Sequence, residues 1–311
     1  MKKRFEVYCG NALTVLKKMR KNSVHCIVTS PPYFQLRDYQ RKQQIGLEPD
    51  LQDYLQNLYD VFAECKRVLK PKGTLWVNLG DTYNSSLERT THRGVKVSQR
   101  ELSRKCQLGI PFRFAIGMMD NYGWILRNDV IWAKTNGKPE SVQDRFSNKH
   151  EFILFFAQSD GYYFDLETIK DLQKPSSLVR QTRNTSDNRQ KYSLGRVGKY
   201  AEGLTKAKTG TSKVQTKRNP TDVTDFWDVA VNARKTGHYA VYPEEILVKP
   251  ILAGCPKNGI VLDPFCGSGT TGLVALQQKR QFIGIDVNGT FCKDARKSLA
   301  KLEKKLYPKK R

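Results

Sequence analysis

The residues best suited to chemistry stand in two short clusters. The first is Thr29-Ser30-Pro31-Pro32-Tyr33, which follows the apolar run Val24-His25-Cys26-Ile27-Val28. Such a run reads as a buried strand, so the strand ends in a hydroxyl, two prolines and an aromatic ring. Consecutive prolines fix φ and supply no N–H, which holds their carbonyls rigidly. Rigid acceptors beside a flat ring suit the grip of an exocyclic amine on a heterocycle. The plainer alternative is a turn or a proline-rich docking segment, and five residues alone do not separate the two.

The second cluster is Asp263-Pro264-Phe265-Cys266-Gly267-Ser268-Gly269-Thr270-Thr271. A strand, Gly259-Ile260-Val261-Leu262, runs into it; a helix from Thr270 to Gln278 and a strand from Gln281 to Ile285 follow, the latter ending in Asp286. A glycine-rich turn between strand and helix, with a second acid about 20 residues on, is a nucleotide-type binding unit. The glycines let backbone approach a ligand, and the second carboxylate sits where a ribose presents its hydroxyls. Asp263 sharpens the reading. Its charge at that turn would repel the phosphates of a dinucleotide but attract the sulfonium and ammonium of S-adenosylmethionine.

The elements that must position these clusters alternate along the chain. A strand over 5–9 precedes the turn Gly10-Asn11, and Ala12 to Met19 reads as a helix. Asp50 is a good N-cap for a helix with Leu51, Tyr54, Leu55, Leu58, Phe62, Cys65 and Leu69 at three- and four-residue spacing. That helix is expected to stop at Pro71-Lys72-Gly73, before a buried strand from Thr74 to Leu79. A helix at about 111–121 then leads to strands from Trp124 to Trp132 and from Glu151 to Gln158. This alternation argues for a parallel sheet packed on both faces by helices. Pro243-Glu244-Glu245 opens a further helix, and an amphipathic helix at about 290–306 closes the pattern.

Two stretches lack apolar periodicity. Residues 84–107 carry Arg89, Arg93, Lys96, Arg100, Arg104 and Lys105 against Glu88 and Glu101 and read as a mobile basic loop. Between Leu166 and Pro220 there are 13 Lys/Arg and 4 Asp/Glu, a local charge of +9. Here Arg180-Gln181-Thr182-Arg183-Asn184, Arg189-Gln190-Lys191-Tyr192 and Lys213–Asn219 mix cations with amides and hydroxyls. Arg pairs with guanine edges, Asn and Gln with adenine, and Lys with phosphates. A solvated insertion is the bland alternative; an insert of this sign within an α/β enzyme pattern faces DNA.

The bulk properties agree. The net charge of +24, from 54 basic and 30 acidic residues, predicts attraction to a polyanion, most simply nucleic acid. Seven scattered cysteines, never spaced Cys-x-x-Cys, speak against a zinc site or disulfide framework and for a reducing cytoplasm. No run of 18 apolar residues and no signal-peptide core is present in the sequence, so neither membrane insertion nor export is indicated.

In these two clusters the chain resembles the amino-methyltransferases of DNA, in particular the permuted β group of bacterial restriction–modification systems. The resemblance covers nearly everything outside 84–107 and the basic insert. Asp263 to Gly269 matches that family's cofactor loop, and Ser30 to Tyr33 matches the catalytic motif of its cytosine-N4 enzymes. The helix from Pro243 matches part of the cofactor pocket. Gly10-Asn11 departs from the family's usual Gly-Asp, which puts Asn11 as a cofactor contact in doubt.

The resemblance implies a doubly wound, mostly parallel, seven-stranded Rossmann-like sheet, circularly permuted, with a basic target-recognition insert. The divisions are 1–160 for the catalytic half, 161–236 for target recognition and 237–311 for the cofactor half. The implied cofactor is S-adenosyl-L-methionine, with no metal, held by Asn11, Asp263, Phe265, Gly267, Ser268, Gly269, Thr270 and Asp286. Ser30, Pro31, Pro32 and Tyr33 are the implied catalytic residues. Ser30 Oγ and the Pro31 carbonyl would accept from the amine, favouring a pyramidal nitrogen, while Tyr33 stacks on the flipped base.

Cytosine N4 is the expected target, because serine both donates and accepts, leaving its hydrogen free for cytosine N3 or a water. An adenine-N6 enzyme of the same group is the alternative. A methyltransferase for RNA or protein amides would more usually carry the cofactor loop first, and a non-catalytic DNA-binding module would have no use for an intact Asp263–Gly269 loop. Cys266, outside any Pro-Cys motif, speaks against covalent C5 chemistry. Asp81 either lies near the site or orients a turn; His238 reads as structural, with a cofactor contact as the lesser alternative. The expected partners are double-stranded DNA and a cognate endonuclease, in a bacterial or archaeal cytoplasm at the nucleoid. Monomer and homodimer both fit.

Overall fold

Eight strands form one sheet in the spatial order Phe5–Cys9, Gln281–Asp286, Ile260–Asp263, Val24–Thr29, Leu69–Leu79, His150–Ala157, Ile125–Ala133 and Phe226–Asp228. The computed structural model describes residues 3–39, 41, 43–84, 89–90, 96–97, 102–137, 139–172, 217–218, 225–231 and 242–308. The expectations placed on Arg93, Arg100, Arg180–Asn184, Arg189–Tyr192 and His238 lie outside them.

In chain order the elements are β1 (Phe5–Cys9), α1 (Ala12–Lys18), β2 (Val24–Thr29), α2 (Leu51–Val68), β3 (Leu69–Leu79), the short pair β4 (Arg89–Thr90) and β5 (Lys96–Val97), then α3 (Ile110–Asp120). There follow β6 (Ile125–Ala133), β7 (His150–Ala157), a second short pair β8 (Asp171–Leu172) and β9 (Lys217–Arg218), and β10 (Phe226–Asp228). The chain ends with α4 (Glu245–Gly254), β11 (Ile260–Asp263), α5 (Thr270–Gln277), β12 (Gln281–Asp286) and α6 (Gly289–Leu306).

The sheet is parallel from β1 through β3, and β6 and β10 pair in parallel. Strand β7 runs antiparallel to both neighbours, so alternation of strands and helices does not carry a parallel sheet through to β7. The sheet also holds one strand more than the expected seven. Its edge strand β10 lies in the stretch read as insert, because Phe226–Asp228 pairs with Ile131–Ala133.

Helices cover both faces. Buried side chains of α1, α2 and α3 (Leu16, Tyr54, Leu58, Phe62, Phe114) share one core with Val24, Ile27, Leu75 and Val77. Those of α4, α5 and α6 (Ile246, Ile251, Val274, Ala295, Leu299) share the other with Cys26, Val28, Trp76 and Phe282. Burying each such aliphatic or aromatic side chain contributes roughly 1.5–3 kcal/mol. Asp50 does cap α2, accepting from Gln52 N at 2.6 Å. That helix ends at Val68, not at Pro71. Residues 70–73 instead bulge within β3, whose pairing jumps from Val24↔Leu69 to Cys26↔Thr74.

Strand β11 lies beside β2 despite following it by more than 200 positions. The first strand and the last helix also meet: Arg4 N donates to Glu303 Oε1 at 2.9 Å, and the Arg296 guanidinium donates to Val7 O at 2.7 Å. Such proximity makes a permuted chain order tolerable.

The chain forms two compact units, residues 1–168 with 223–311 and residues 169–222. The stretch 161–236 is therefore divided, with 161–168 and 223–236 in the larger unit. In the smaller unit the described residues form the antiparallel pair of β8 and β9. No helix among the described residues is long and apolar enough to cross a membrane.

Candidate active site

A cavity of about 380 Å³ opens in the larger unit, at the end of the sheet where β2, β11 and β12 finish. Ser30, Pro31, Pro32 and Tyr33 form one wall; Asn11, Phe265, Gly267, Ser268, Thr270 and Asp286 belong to the other. The volume lies in the range that encloses a small organic ligand. The two sequence clusters thus face one space.

The glycine loop is shaped as its sequence demands. Gly269 precedes α5 with φ +88, and a Cβ there would stand 3.0 Å from Ala295 Cβ. Both the turn and the close approach of α6 require glycine. Asp286 closes the loop from the neighbouring strand: Gly267 N donates to its Oδ2 at 2.8 Å and Asn288 N to its Oδ1 at 2.7 Å. Burial raises the Asp286 carboxyl above its ordinary value, while those two N–H bonds work against the rise.

Asp263 and Gly269 are absent from the cavity lining, although the sequence placed them among the cofactor contacts. Asp263 is fully buried. Its carboxylate accepts from Thr29 Oγ1 at 2.7 Å, Phe265 N at 3.0 Å, Tyr242 Oη at 3.2 Å and Thr271 Oγ1. Four donors occupy the lone pairs that a ligand would need. Burial pushes this carboxyl up to about 6, against the pull of its donors. Asp263 ties the glycine loop to Thr29, the last residue of β2, and to Tyr242, which leads into α4.

The Ser30–Tyr33 corner is braced from several strands. Tyr33 Oη donates to Glu151 Oε2 at 2.6 Å, and Asn78 Nδ2 donates to Tyr33 Oη at 2.8 Å. Lys134 pairs with the other oxygen of Glu151 and lies over the Trp132 ring. Gly80 makes room for this arrangement, because a Cβ there would meet the Tyr33 ring at 2.9 Å. Tyr54 Oη donates to Pro32 O at 2.8 Å and anchors the proline corner on α2.

Sequence reasoning missed Asn78, Trp132, Lys134, Glu151 and Tyr242, all of which line the cavity. The available signal was a charged residue at each end of the polar link between two apolar strands, Lys134 after Trp132 and Glu151 before Phe152. Asp81 takes the second of its two readings. It accepts from Gly109 N and Ile110 N at 3.0 and 3.1 Å and fixes the start of α3. Cys266 is buried, and that burial pushes its thiol well above the ordinary value, where it is no nucleophile.

The lining fits a polar organic cofactor. Asn11 caps α1 through its Oδ1 and donates from Nδ2 to Gln43 O at 3.2 Å, so its amide is held at the rim. Two buried polar atoms of lining residues, Gln44 Nε2 and Asn78 Oδ1, have no protein partner among the described residues. A buried donor and acceptor left in this way are places where a ligand or water completes the bonding.

A glycine loop and an acid on adjacent strand ends share this cavity with a rigid acceptor corner. The family model for DNA methylase, of the N6/N4 type, matches residues 24–297, and the chain belongs to that family. It is 35% identical over 294 residues to the type II methyltransferase M.Cfr9I of Citrobacter freundii, covering 90% of this chain and 82% of that protein. To M.SmaI of Serratia marcescens it is 32% identical over 305 residues, covering 94% and 90%. Among solved structures, the cytosine-N4-specific PvuII DNA methyltransferase matches with a TM-score of 0.59 at 16% identity, over 97% of this chain and 92% of that one. A putative DNA modification methylase from Thermus thermophilus, solved with S-adenosyl-L-methionine, matches with a TM-score of 0.58 at 20% identity, over 95% of each.

Proposed function

We propose that this DNA methylase transfers a methyl group from S-adenosyl-L-methionine to the exocyclic N4 amine of a flipped-out cytosine in double-stranded DNA. The reaction is site-specific and belongs to a restriction–modification system. One observation carries the reading: Ser30–Tyr33, the glycine loop residues Phe265, Gly267 and Ser268, and Asp286 line one cavity. S-adenosyl-L-methionine supplies a methyl group activated by a sulfonium charge. Asp286, Asn11, Phe265, Gly267, Ser268 and Thr270 hold it, and Asp263 and Gly269 shape the loop behind them.

The target amine is a poor nucleophile because its lone pair is delocalised into the ring. Ser30 Oγ and the Pro31 carbonyl accept its hydrogens, localise the lone pair and stabilise the positive charge that develops on nitrogen. Tyr33, tethered through its hydroxyl, offers its ring to the base. A base within a duplex cannot enter the cavity, so it is flipped out of the stack.

Cytosine is favoured by the serine that opens the motif. Adenine N6 is the second reading, since both bases present an amine beside a ring nitrogen. Digestion of methylated DNA and mass spectrometry of the nucleosides decides between them. N4-methyldeoxycytidine is the expected product; N6-methyldeoxyadenosine alone would overturn the cytosine assignment and leave the cofactor site standing.

The basic residues of 161–236, with those of 84–107, read the target and neutralise phosphates. The separate unit at 169–222 supports this role. Affinity for DNA is expected to fall steeply as salt rises. Deleting 169–222 while retaining full site-specific methylation would sink the assignment.

A further inference from the structure

The Ser30–Tyr33 corner can hold an amine, but it does not tell one base from another. Cytosine and adenine both bring an exocyclic amine beside a ring nitrogen, so the same acceptors serve either. The bases differ at the next position along that edge. Cytosine carries the O2 carbonyl there, an acceptor, whereas adenine carries C2–H. A donor fixed near the corner would therefore choose between them by reading the edge of the flipped base.

Lys134 is placed to be that donor. It follows the last residue of β6, and its backbone N donates to Lys149 O at 2.7 Å, closing the foot of the connection to β7. Its ammonium is paired with Glu151 Oε1 and stands 5.2 Å from the centre of the Trp132 ring. On its other oxygen Glu151 accepts from Tyr33 Oη and Asn78 Nδ2, at 2.6 and 2.8 Å. One carboxylate thus holds the ammonium beside the hydroxyl end of the Tyr33 ring. Lys134, Glu151 and Trp132 line the same cavity as Ser30 and Tyr33.

Tyr33 and Asn78 commit hydrogens to Glu151, whereas Lys134 keeps some in reserve. An ammonium has three, and Glu151 Oε1 occupies one. The Lys134 side chain is 23% exposed and that of Glu151 12%, so the cation reaches the cavity surface while its counter-ion is largely shielded. The carboxylate and the indole ring hold the ammonium in place, so little freedom is lost when a base arrives.

We propose, building on the cytosine-N4 reading above, that Lys134 is a specificity-determining residue whose ammonium donates to the O2 carbonyl of the flipped cytosine. One pose then meets every group: the amine at Ser30 Oγ and the Pro31 carbonyl, the ring against Tyr33, and O2 toward Lys134. Glu151 is the positioning residue for the ammonium. Adenine in that pose sets C2–H against the cation and strips water from it without supplying an acceptor, which costs more than the bond contributes.

Sequencing plasmid DNA methylated by the wild-type protein locates the site and the base for the test. Duplexes with that site are made with cytosine, or with the C-nucleoside of 2-aminopyridine, at the target position. The analogue keeps the amine and the ring nitrogen and has C–H in place of the O2 carbonyl. Single-turnover transfer from tritiated S-adenosyl-L-methionine is measured on both. Loss of O2 is expected to slow wild type by about 10–10²-fold. Lys134→Met should slow transfer to cytosine by a similar factor and be at least tenfold less sensitive than wild type to the loss of O2, because both changes remove one bond. Its cofactor affinity by calorimetry should stay within about twofold of wild type. A variant with only a structural defect would lose rate on both duplexes and keep the full effect of O2. Equal sensitivity to O2 in wild type and variant would overturn the proposal. So would a cofactor affinity reduced more than about tenfold in Lys134→Met, which would make Lys134 a cofactor contact. Should Lys134→Met not fold, Lys134→Gln is carried through the same comparison, and a wild-type protein indifferent to O2 rules the contact out with either. Plasmid DNA bearing N6-methyldeoxyadenosine alone would overturn the proposed function, and this role for Lys134 with it, before any analogue is made.

Discussion

The two walls of the cavity are built in opposite ways. The cofactor wall comes mainly from one continuous stretch: β11, its glycine loop, α5 and β12. Its shape is set by backbone, and Asp286 reaches back 19 positions to hold Gly267. The amine wall draws on β2, β3, β6 and β7. Tyr33 meets Asn78 across 45 positions and Glu151 across 118. A cradle of backbone amides can be specified locally, whereas a polarised acceptor needs bracing from several strands. Asp263 joins the two: it belongs to the cofactor loop yet accepts from Thr29, beside Ser30.

The comparison predicts a separation of effects. Ser30→Ala strikes the amine wall alone and should lower the rate of methyl transfer by about 10²–10³-fold, roughly 2.7–4 kcal/mol. Calorimetry should show cofactor affinity nearly unchanged. A large loss of affinity would mean that the walls are not separable.

Asp263→Ala should act next most strongly, on stability. It leaves the hydroxyls of Thr29, Thr271 and Tyr242 without their shared acceptor, at about 1–3 kcal/mol for each group that finds no other. Thermal unfolding is expected to show a marked fall, and both cofactor affinity and transfer rate should decline with it. Unchanged stability with lost affinity would return Asp263 to the role of a direct contact.

Asp286→Ala should show the reverse balance. Its partners are two backbone N–H groups at the cavity edge, so the loss of stability should be smaller than for Asp263→Ala. Cofactor affinity should drop by about tenfold, roughly 1.4 kcal/mol. Equal changes in melting temperature for the two variants would erase the distinction drawn between them.

The smallest effect is a pH slope. The Asp263 carboxyl stands at about 6 in the folded protein, above the ordinary carboxylate value of about 3.9 in an unfolded chain. Between those values the folded state binds more protons, so stability falls as pH rises. The contribution is present in full below about 4 and is lost as pH climbs through about 6. Relative to Asp263→Asn, cofactor-free wild type should lose at most roughly 1.4 kcal/mol per pH unit across that window. A flat difference between the two would show that Asp263 does not titrate there.

The sequence by itself determined most of the long elements and both turns. Short apolar, β-branched runs place Thr29, Asp263 and Asp286 at strand ends, because such runs and the breakers after them are local properties. Asp50 and the spacing from Leu51 to Cys65 likewise define α2 before any tertiary contact. The tertiary structure decided which way side chains turn and who meets whom. Asp263 and Asp286 end neighbouring strands alike, yet one faces a buried group of hydroxyls and the other the cavity. Glu151 stands near the start of its strand, where a parallel reading would put it at the far end of the sheet. Because β7 runs antiparallel, with Trp132↔Glu151 and Leu79↔Phe152 in register, that start lies beside Tyr33. Strand direction and side-chain facing are set by packing across the sheet, and no local pattern in the sequence records them.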